Sequence, residues 1–160
     1  MTNAMTIPVL DPHASKADNA RQILGVRIED LFRHESIIPD ATAIEDLHEA
    51  RIAAKRLRYT LELFPSLLET NDGKLLDQLK LLQDELGELH DADIRIELID
   101  GSLASLSKNG KKPSIREGLE ALLARERTER AERHASVVKL WRRLKRGRFE
   151  SKLRTLTQSQ

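Results

Sequence analysis

Leu75, Leu79, Leu82, Leu86 and Leu89, followed by Ile96, recur at spacings of three, four and seven. A helix returns those positions to one side, whereas a strand would scatter them over both of its faces. The stripe therefore predicts a helix from the turn Asn71-Asp72-Gly73 to about Leu106, and a helix that long needs an equally long apolar partner. Asp93 sits inside the stripe, where an unpaired carboxylate would cost several kcal/mol, so an Arg or Lys partner is expected, most directly an arginine of the preceding helix.

The rest of the chain supplies the partners. A helix is predicted from about Lys16 to His34, packing through Ile23, Val26, Leu31 and Phe32, after a tail of residues 1–16 that holds Pro8 and Pro12 and shows no periodicity. A second helix is predicted to start at Thr42, which forms a capping box with Glu45, and to end at Pro65. Ser107 to Pro113 reads as a loop. A fourth helix then runs from about Ile115 to Leu156, with Ser114 and Glu117 as its capping box and a bend near Gly147. Its apolar contacts are Leu119, Leu122, Leu123, Val137, Leu140, Trp141 and Leu144. Four helices joined by short connections predict an all-α, antiparallel four-helix bundle with long third and fourth helices. Sparse Val, Tyr, Trp and Thr leave little to build strands from.

The chain has no cysteine, so disulfides and thiolate chemistry are excluded. Its start lacks a basic segment followed by an apolar one, so no signal peptide is expected, and no apolar run is long enough to span a membrane. A cytoplasmic location is expected. The net charge of +1 hides a division: residues 114–160 carry 13 Lys/Arg and 6 Asp/Glu, and residues 1–113 carry 14 and 20. The C-terminal third is therefore the natural polyanion-facing element.

The second helix carries the most informative charges. His48, Arg51, Lys55 and Arg58 fall within roughly 80° of one another on a helical projection, with Glu62 the single acidic interruption. Ala50, Ala53, Ala54, Leu57, Leu61 and Phe64 form an apolar arc on one flank; Ile52, Tyr59 and Leu63 form a strip on the other. Cations with apolar surface on both sides are expected to look into a cleft, the plain alternative being a solvated basic face. The row spans about 15 Å, long enough for several phosphates. Arginine donates two hydrogen bonds to phosphate oxygens from a planar fork, and lysine acts as a point charge. Arg127, Arg130 and His134 on the fourth helix recur at spacings of three and four and are expected as an opposite wall. Arg142, Arg143, Lys145 and Arg146 extend the field.

The segment Leu47-His48-Glu49-Ala50-Arg51-Ile52-Ala53-Ala54-Lys55-Arg56-Leu57-Arg58 resembles the His-x-x-Arg signature of CHAD domains, the conserved-histidine α-helical domains. A second block, Leu86-Gly87-Glu88-Leu89-His90-Asp91-Ala92-Asp93-Ile94, resembles the Leu-Gly-x-x-Arg-Asp-x-Asp-Val block of the same family, with His90 where arginine is frequent. The resemblance implies a CHAD-like helical bundle over residues 17–157 that binds inorganic polyphosphate. It adds Arg56 to the binding set and casts His90, Asp91 and Asp93 as supporting residues. Family members usually hold two bundles around a basic channel, so a chain of about one bundle implies a homodimer or an open basic face. In this reading the cytoplasmic location extends to polyphosphate granules.

His48, His90 and His134 lie on three different predicted helices, and no His pair four apart marks a metal site. No phosphate loop, Mg²⁺ triad or nucleophile–base pair is recognisable, so no catalytic residue, metal or cofactor is assigned. The alternative function is a nucleic-acid-binding or scaffold protein that uses the basic C-terminal helix. One Trp, one Tyr and three Phe give base stacking little support.

Overall fold

The computed structural model describes residues 4–68, 73–109 and 113–158. Among them the chain forms α1 (Lys16–Phe32), α2 (Ile44–Leu63), a short 3-10 turn (Pro65–Leu68), α3 (Lys74–Asn109), α4 (Pro113–Arg146) and α5 (Phe149–Thr155), with no strand. The all-helical reading holds. Asn71, Asp72 and residues 110–112 of the expected connections lie outside the described residues.

The start of α1 at Lys16 is as expected, and the starts of α2 and α4 differ from the sequence reading. α1 is capped by Ser15, whose hydroxyl accepts from the Asp18 amide at 3.1 Å and donates to the Asp18 carboxylate at 2.7 Å. Thr42 does not cap α2. Its amide and hydroxyl both donate to the Asp40 carboxylate, at 2.8 and 2.7 Å, so the hydroxyl is consumed in the preceding turn and the helix starts at Ile44. α4 already begins at Pro113, which places Ser114 inside the first turn. The predicted bend at Gly147 is a break. Arg148 adopts the left-handed conformation, with φ of 59°, and α5 leaves in a new direction.

Consecutive helices pack on one another: α1 on α2, α2 on α3, and α3 on α4. The ring is closed by α5, which sits against α1, α3 and α4, and α4 reaches the end of α1 through side chains, with the Phe32 and Trp141 rings 5.3 Å apart. The core draws on Leu24, Ile28 and Leu31 of α1, on Ala50, Ala53, Ala54, Leu57 and Leu61 of α2, and on Leu75 through Leu89 of α3. Val137, Leu140, Trp141 and Leu144 of α4 and Phe149 and Leu153 of α5 complete it. The three alanines let α2 lie close to its neighbours. On α1 the buried stripe is Ala20, Leu24, Ile28 and Leu31, and the predicted Ile23 and Val26 are only half-buried. The error is one residue in register, which an Ile-Leu-Gly-Val run does not resolve by itself.

The common core ends at Leu89 on α3 and resumes only at Val137 on α4. Beyond it the two helices continue together as a projecting hairpin. Ion pairs fasten its seam: Arg95 with Glu126 at 2.7 Å, Arg133 with Glu88 at 3.6 Å, and Arg130 with Asp93. Leu98 there is 66% exposed, and the predicted contact Leu122 is exposed as well. Position along α3 should therefore decide the cost of truncation. Leu86→Ala is expected to destabilise by about 2–5 kcal/mol and Leu98→Ala by less than about 0.5 kcal/mol in denaturant unfolding.

Candidate functional site

The α2 cations separate into three environments. His48 turns towards α3 and meets His90: the two Nδ1 atoms are 3.2 Å apart and the ring centroids 4.3 Å. One Nδ1 donates and the other accepts, so at most one proton occupies that contact. Arg51, one turn further on, is half-buried where α2 crosses Gly87. A Cβ at Gly87 would lie 3.8 Å from the Arg51 Nε, an ordinary van der Waals contact, so the guanidinium lies beside α3 at this point. That Nε is buried and has no hydrogen-bond partner among the described residues. Lys55 and Arg58 bracket the Tyr59 ring, with Nζ at 5.6 Å and Cζ at 4.9 Å from its centroid, and Arg58 lies 3.4 Å from Glu62. The Arg58 contact is an ion pair without hydrogen-bond geometry, which leaves its Nε unsatisfied.

Arg56 is not part of this face. At 100° per residue it lies about 100° beyond Lys55, and it reaches α1, where its Nη1 is 3.6 Å from the fully buried Asp30. On α4, His134 is also withdrawn: it is buried and its Nε2 donates to the Ile38 carbonyl at 2.9 Å, pinning the α1–α2 connection to α4. Arg130 is the partner of Asp93, so the α2 arginine expected there is replaced by one from α4. The reason is the direction of position 93, which points into the α3–α4 seam. Arg127 is exposed and 3.6 Å from Asp100, and Asp91 is exposed on α3.

A cleft of about 1260 Å³ opens between the start of α2 and the projecting hairpin. His48, His90, Arg127 and Arg130 line it, together with Glu45, Asp46, Glu49, Asp93, Glu97 and Asp100. Six carboxylates against two arginines make it acidic. Of the basic row only His48 looks into it; Arg51, Lys55 and Arg58 lie on an open face outside. The expected cleft of cations is thus corrected to an acidic cleft beside a basic face. Among the described residues no group of three or more His, Asp or Glu is arranged to hold a metal ion.

Both motif blocks meet at this point, with His48 against His90 and Arg51 against Gly87. The CHAD domain family model matches residues 3–100. The chain belongs to the CHAD domain family. That family is associated with polyphosphate binding in general. No curated protein and no solved structure matches the chain. The CHAD match covers α1, α2 and α3 as far as residue 100, and so includes His48 through Arg58 and His90 through Asp93. It stops short of α4, so Arg127, Arg130 and His134 rest on geometry alone. The sequence reading passed over Asp30 and the role of Tyr59. Asp30 had a signal in its spacing of three from both Arg27 and Arg33, and Gly87 had one in its place within the second CHAD block.

Two checks follow from the electrostatics. Asp93 and Arg130 are 10% and 13% exposed, so removing one partner strands a buried charge. Asp93→Leu is expected to cost about 3–5 kcal/mol, and the double replacement Asp93→Leu with Arg130→Met to recover most of it, by denaturant unfolding. Burial, then His48 and Arg51, hold His90 below the ordinary imidazole value of 6.5, against the pull of Asp91 and Asp93. Burial and Arg33 lower His34 in the same direction. An imidazole that binds protons less readily when folded stabilises the fold above its unfolded pKa, and that contribution is lost as pH falls. The unfolding midpoint should therefore drop on acidification below about pH 6.5, with a shallower drop in the His34→Gln, His90→Gln double variant.

Proposed function

We propose that this chain binds inorganic polyphosphate on the open α2 face, through Arg51, Lys55 and Arg58, with His48 and His90 at one end. It acts as a binding module without catalysing a reaction on the ligand. The observation that carries this reading is Arg51: a half-buried guanidinium beside Gly87, with a buried donor that has no hydrogen-bond partner among the described residues. A half-buried cation loses less side-chain entropy on binding than an exposed one, and an unsatisfied donor gains a full charge-assisted hydrogen bond from a phosphate oxygen. Lys55 adds a cation without an acidic partner among the described residues, and Tyr59 holds Lys55 and Arg58 side by side. Glu62 is the one carboxylate the ligand must displace. A polyanion offering a charge on every phosphate suits an open row of cations better than a closed pocket.

The exposed strip beside the row favours self-association. Tyr59 is 48% and Leu63 69% exposed, next to cations with few acidic neighbours. In this reading two copies meet through that strip in a twofold contact, and both rows then flank one ligand. Like charges oppose the contact until polyphosphate bridges them, so ligand promotes the dimer. No described helix is long and apolar enough to cross a membrane. The proposed setting is the cytoplasm, at polyphosphate granules.

Titration with polyphosphates of defined length tests the binding face. The triple variant Arg51→Gln, Lys55→Gln, Arg58→Gln should keep its helicity and lose affinity, each contact contributing about 1.5–3 kcal/mol before screening. Wild-type binding should also weaken steeply with salt. A folded triple variant that binds undiminished removes the assignment. Sedimentation tests the assembly: the mass should double on adding long-chain polyphosphate, and a one-chain mass in both conditions leaves an open face on a monomer.

A further inference from the structure

The arginines in the first part of α4 are largely spent on internal partners. Arg116 pairs with Glu120, Arg127 with Asp100, Arg130 with Asp93, and Arg133 with Glu88 and Glu129. After Arg133 the pattern stops. No Asp or Glu occurs again until Glu150, and the interval holds Lys139, Arg142, Arg143, Lys145, Arg146 and Arg148. Lys145 is held by Glu35. Lys139, Arg143 and Arg146 are exposed, and among the described residues none of them has an ion pair.

Those three recur at spacings of four and three, which puts them within about 60° on one side of α4 and over about 10 Å of its length. They line a shallow groove of about 260 Å³ with Ser136 and Leu140 of α4 and with Leu81 and Glu85 of α3. Three cations face one carboxylate there, and Glu85 keeps a buried oxygen without a hydrogen-bond partner. Favourable interaction with the negative end of the α4 dipole accounts for cations in the last turn, but not for Lys139, two turns earlier. The groove is also separate from the α2 face. It takes Leu81 and Glu85 from one flank of α3, whereas Arg51 crosses Gly87 on the other. Between those flanks the outer side of α3 presents the exposed Asp77, Asp84 and Asp91, with Glu88 beside them paired to Arg133. A polyanion lying on one basic track would be repelled by that ridge before it reached the other.

We propose that Lys139, Arg143 and Arg146 form a second, independent groove for condensed inorganic phosphate, so that each chain carries two polyphosphate tracks on opposite flanks of α3. This rests on the reading that the chain binds polyphosphate, and the ligand class follows from what the groove offers. It holds three cations and a serine hydroxyl and no aromatic ring, so phosphate oxygens are served and stacked bases are not.

The test is calorimetric titration of the full chain with tripolyphosphate, comparing wild type with two triple variants. One is Lys139→Gln, Arg143→Gln, Arg146→Gln; the other is the α2 variant Arg51→Gln, Lys55→Gln, Arg58→Gln. All three α4 residues are exposed, and circular dichroism verifies that the fold is kept. Wild type should bind two tripolyphosphates per chain. The α4 variant should bind one, with at least about a tenfold loss at the missing site and a salt slope lower by about two. Charge-preserving replacement of the same three positions should restore the second site. Unchanged stoichiometry and salt slope in the α4 variant overturns the groove and leaves the α2 reading standing. Two sites retained in the α2 variant with one lost in the α4 variant supports the groove and sinks the α2 face instead. Absence of any tripolyphosphate binding in wild type overturns both. If single-stranded DNA of equal charge takes the groove more tightly than polyphosphate, the ligand class is wrong.

Discussion

Asp30 is buried completely within a shell of three arginines, and the sorting of the chain's cations depends on it. Arg33 approaches at 3.1 Å, Arg56 at 3.6 Å and Arg27 at 4.0 Å, and the Met5 amide donates at 3.3 Å. A carboxylate with no access to water must be paired, and pairing it draws Arg56 away from the α2 face and ties α2 to α1. With Arg56 anchored on one flank and the alanine arc on the core, the rotation of α2 about its own axis is fixed. Arg51, Lys55 and Arg58 are then the cations left over, on the side of α2 that neither α1 nor the core covers. The basic face of α2 is a by-product of how a buried anion is neutralised.

The same accounting divides the whole surface. Along the projecting hairpin, cations and carboxylates are matched across the α3–α4 seam, and the surplus of acid collects in the cleft beside His48 and His90. Along α2 and the last turns of α4 the surplus is positive. A net charge of +1 therefore describes a molecule with an acidic hollow and basic flanks, whose fields act over roughly a Debye length of 8–10 Å. Such a field is attractive to anions at the flanks and repulsive to them in the hollow, even though the hollow is a large concavity and carries two histidines.

What could be read from the sequence depended on whether the information was local. The leucine stripe of α3 names its own buried face, since repetition over four turns leaves one phase that fits. The first four helices and the two motif blocks followed for similar reasons, whereas α5 was read as the end of the fourth helix. Ion-pair partners are not local. Asp93 announced that it needed a cation but could not say which, because the choice between α2 and α4 turns on the direction of one side chain across a helix seam. Asp30 went unread because its spacing from two arginines does not tell a surface acid from a buried one, and packing against α2 makes it a core residue. His134 was in phase with Arg127 and Arg130, yet its ring is taken by a backbone carbonyl 96 residues earlier in the chain. The cleft was misjudged because periodicity gives the direction of a side chain and not the sign of what comes to lie opposite it.

The left-handed Arg148 turns the chain back so that α5 lies against α1, setting Phe149 beside Phe32, with ring centroids 6.2 Å apart. This contact joins residues more than a hundred positions apart, while most other helix pairs are neighbours in sequence. Loop-closure entropy makes such a contact slow to form, so α1 through α4 can assemble as local hairpins before it is made. During synthesis the aromatic end of α1 can meet Trp141 of α4 first and is fully covered only when residues 149–155 have emerged. Among the described helices α5 is the one that seals the core, so a chain halted short of it leaves the ribosome with an open apolar seam, a form fit for chaperone capture or proteolysis.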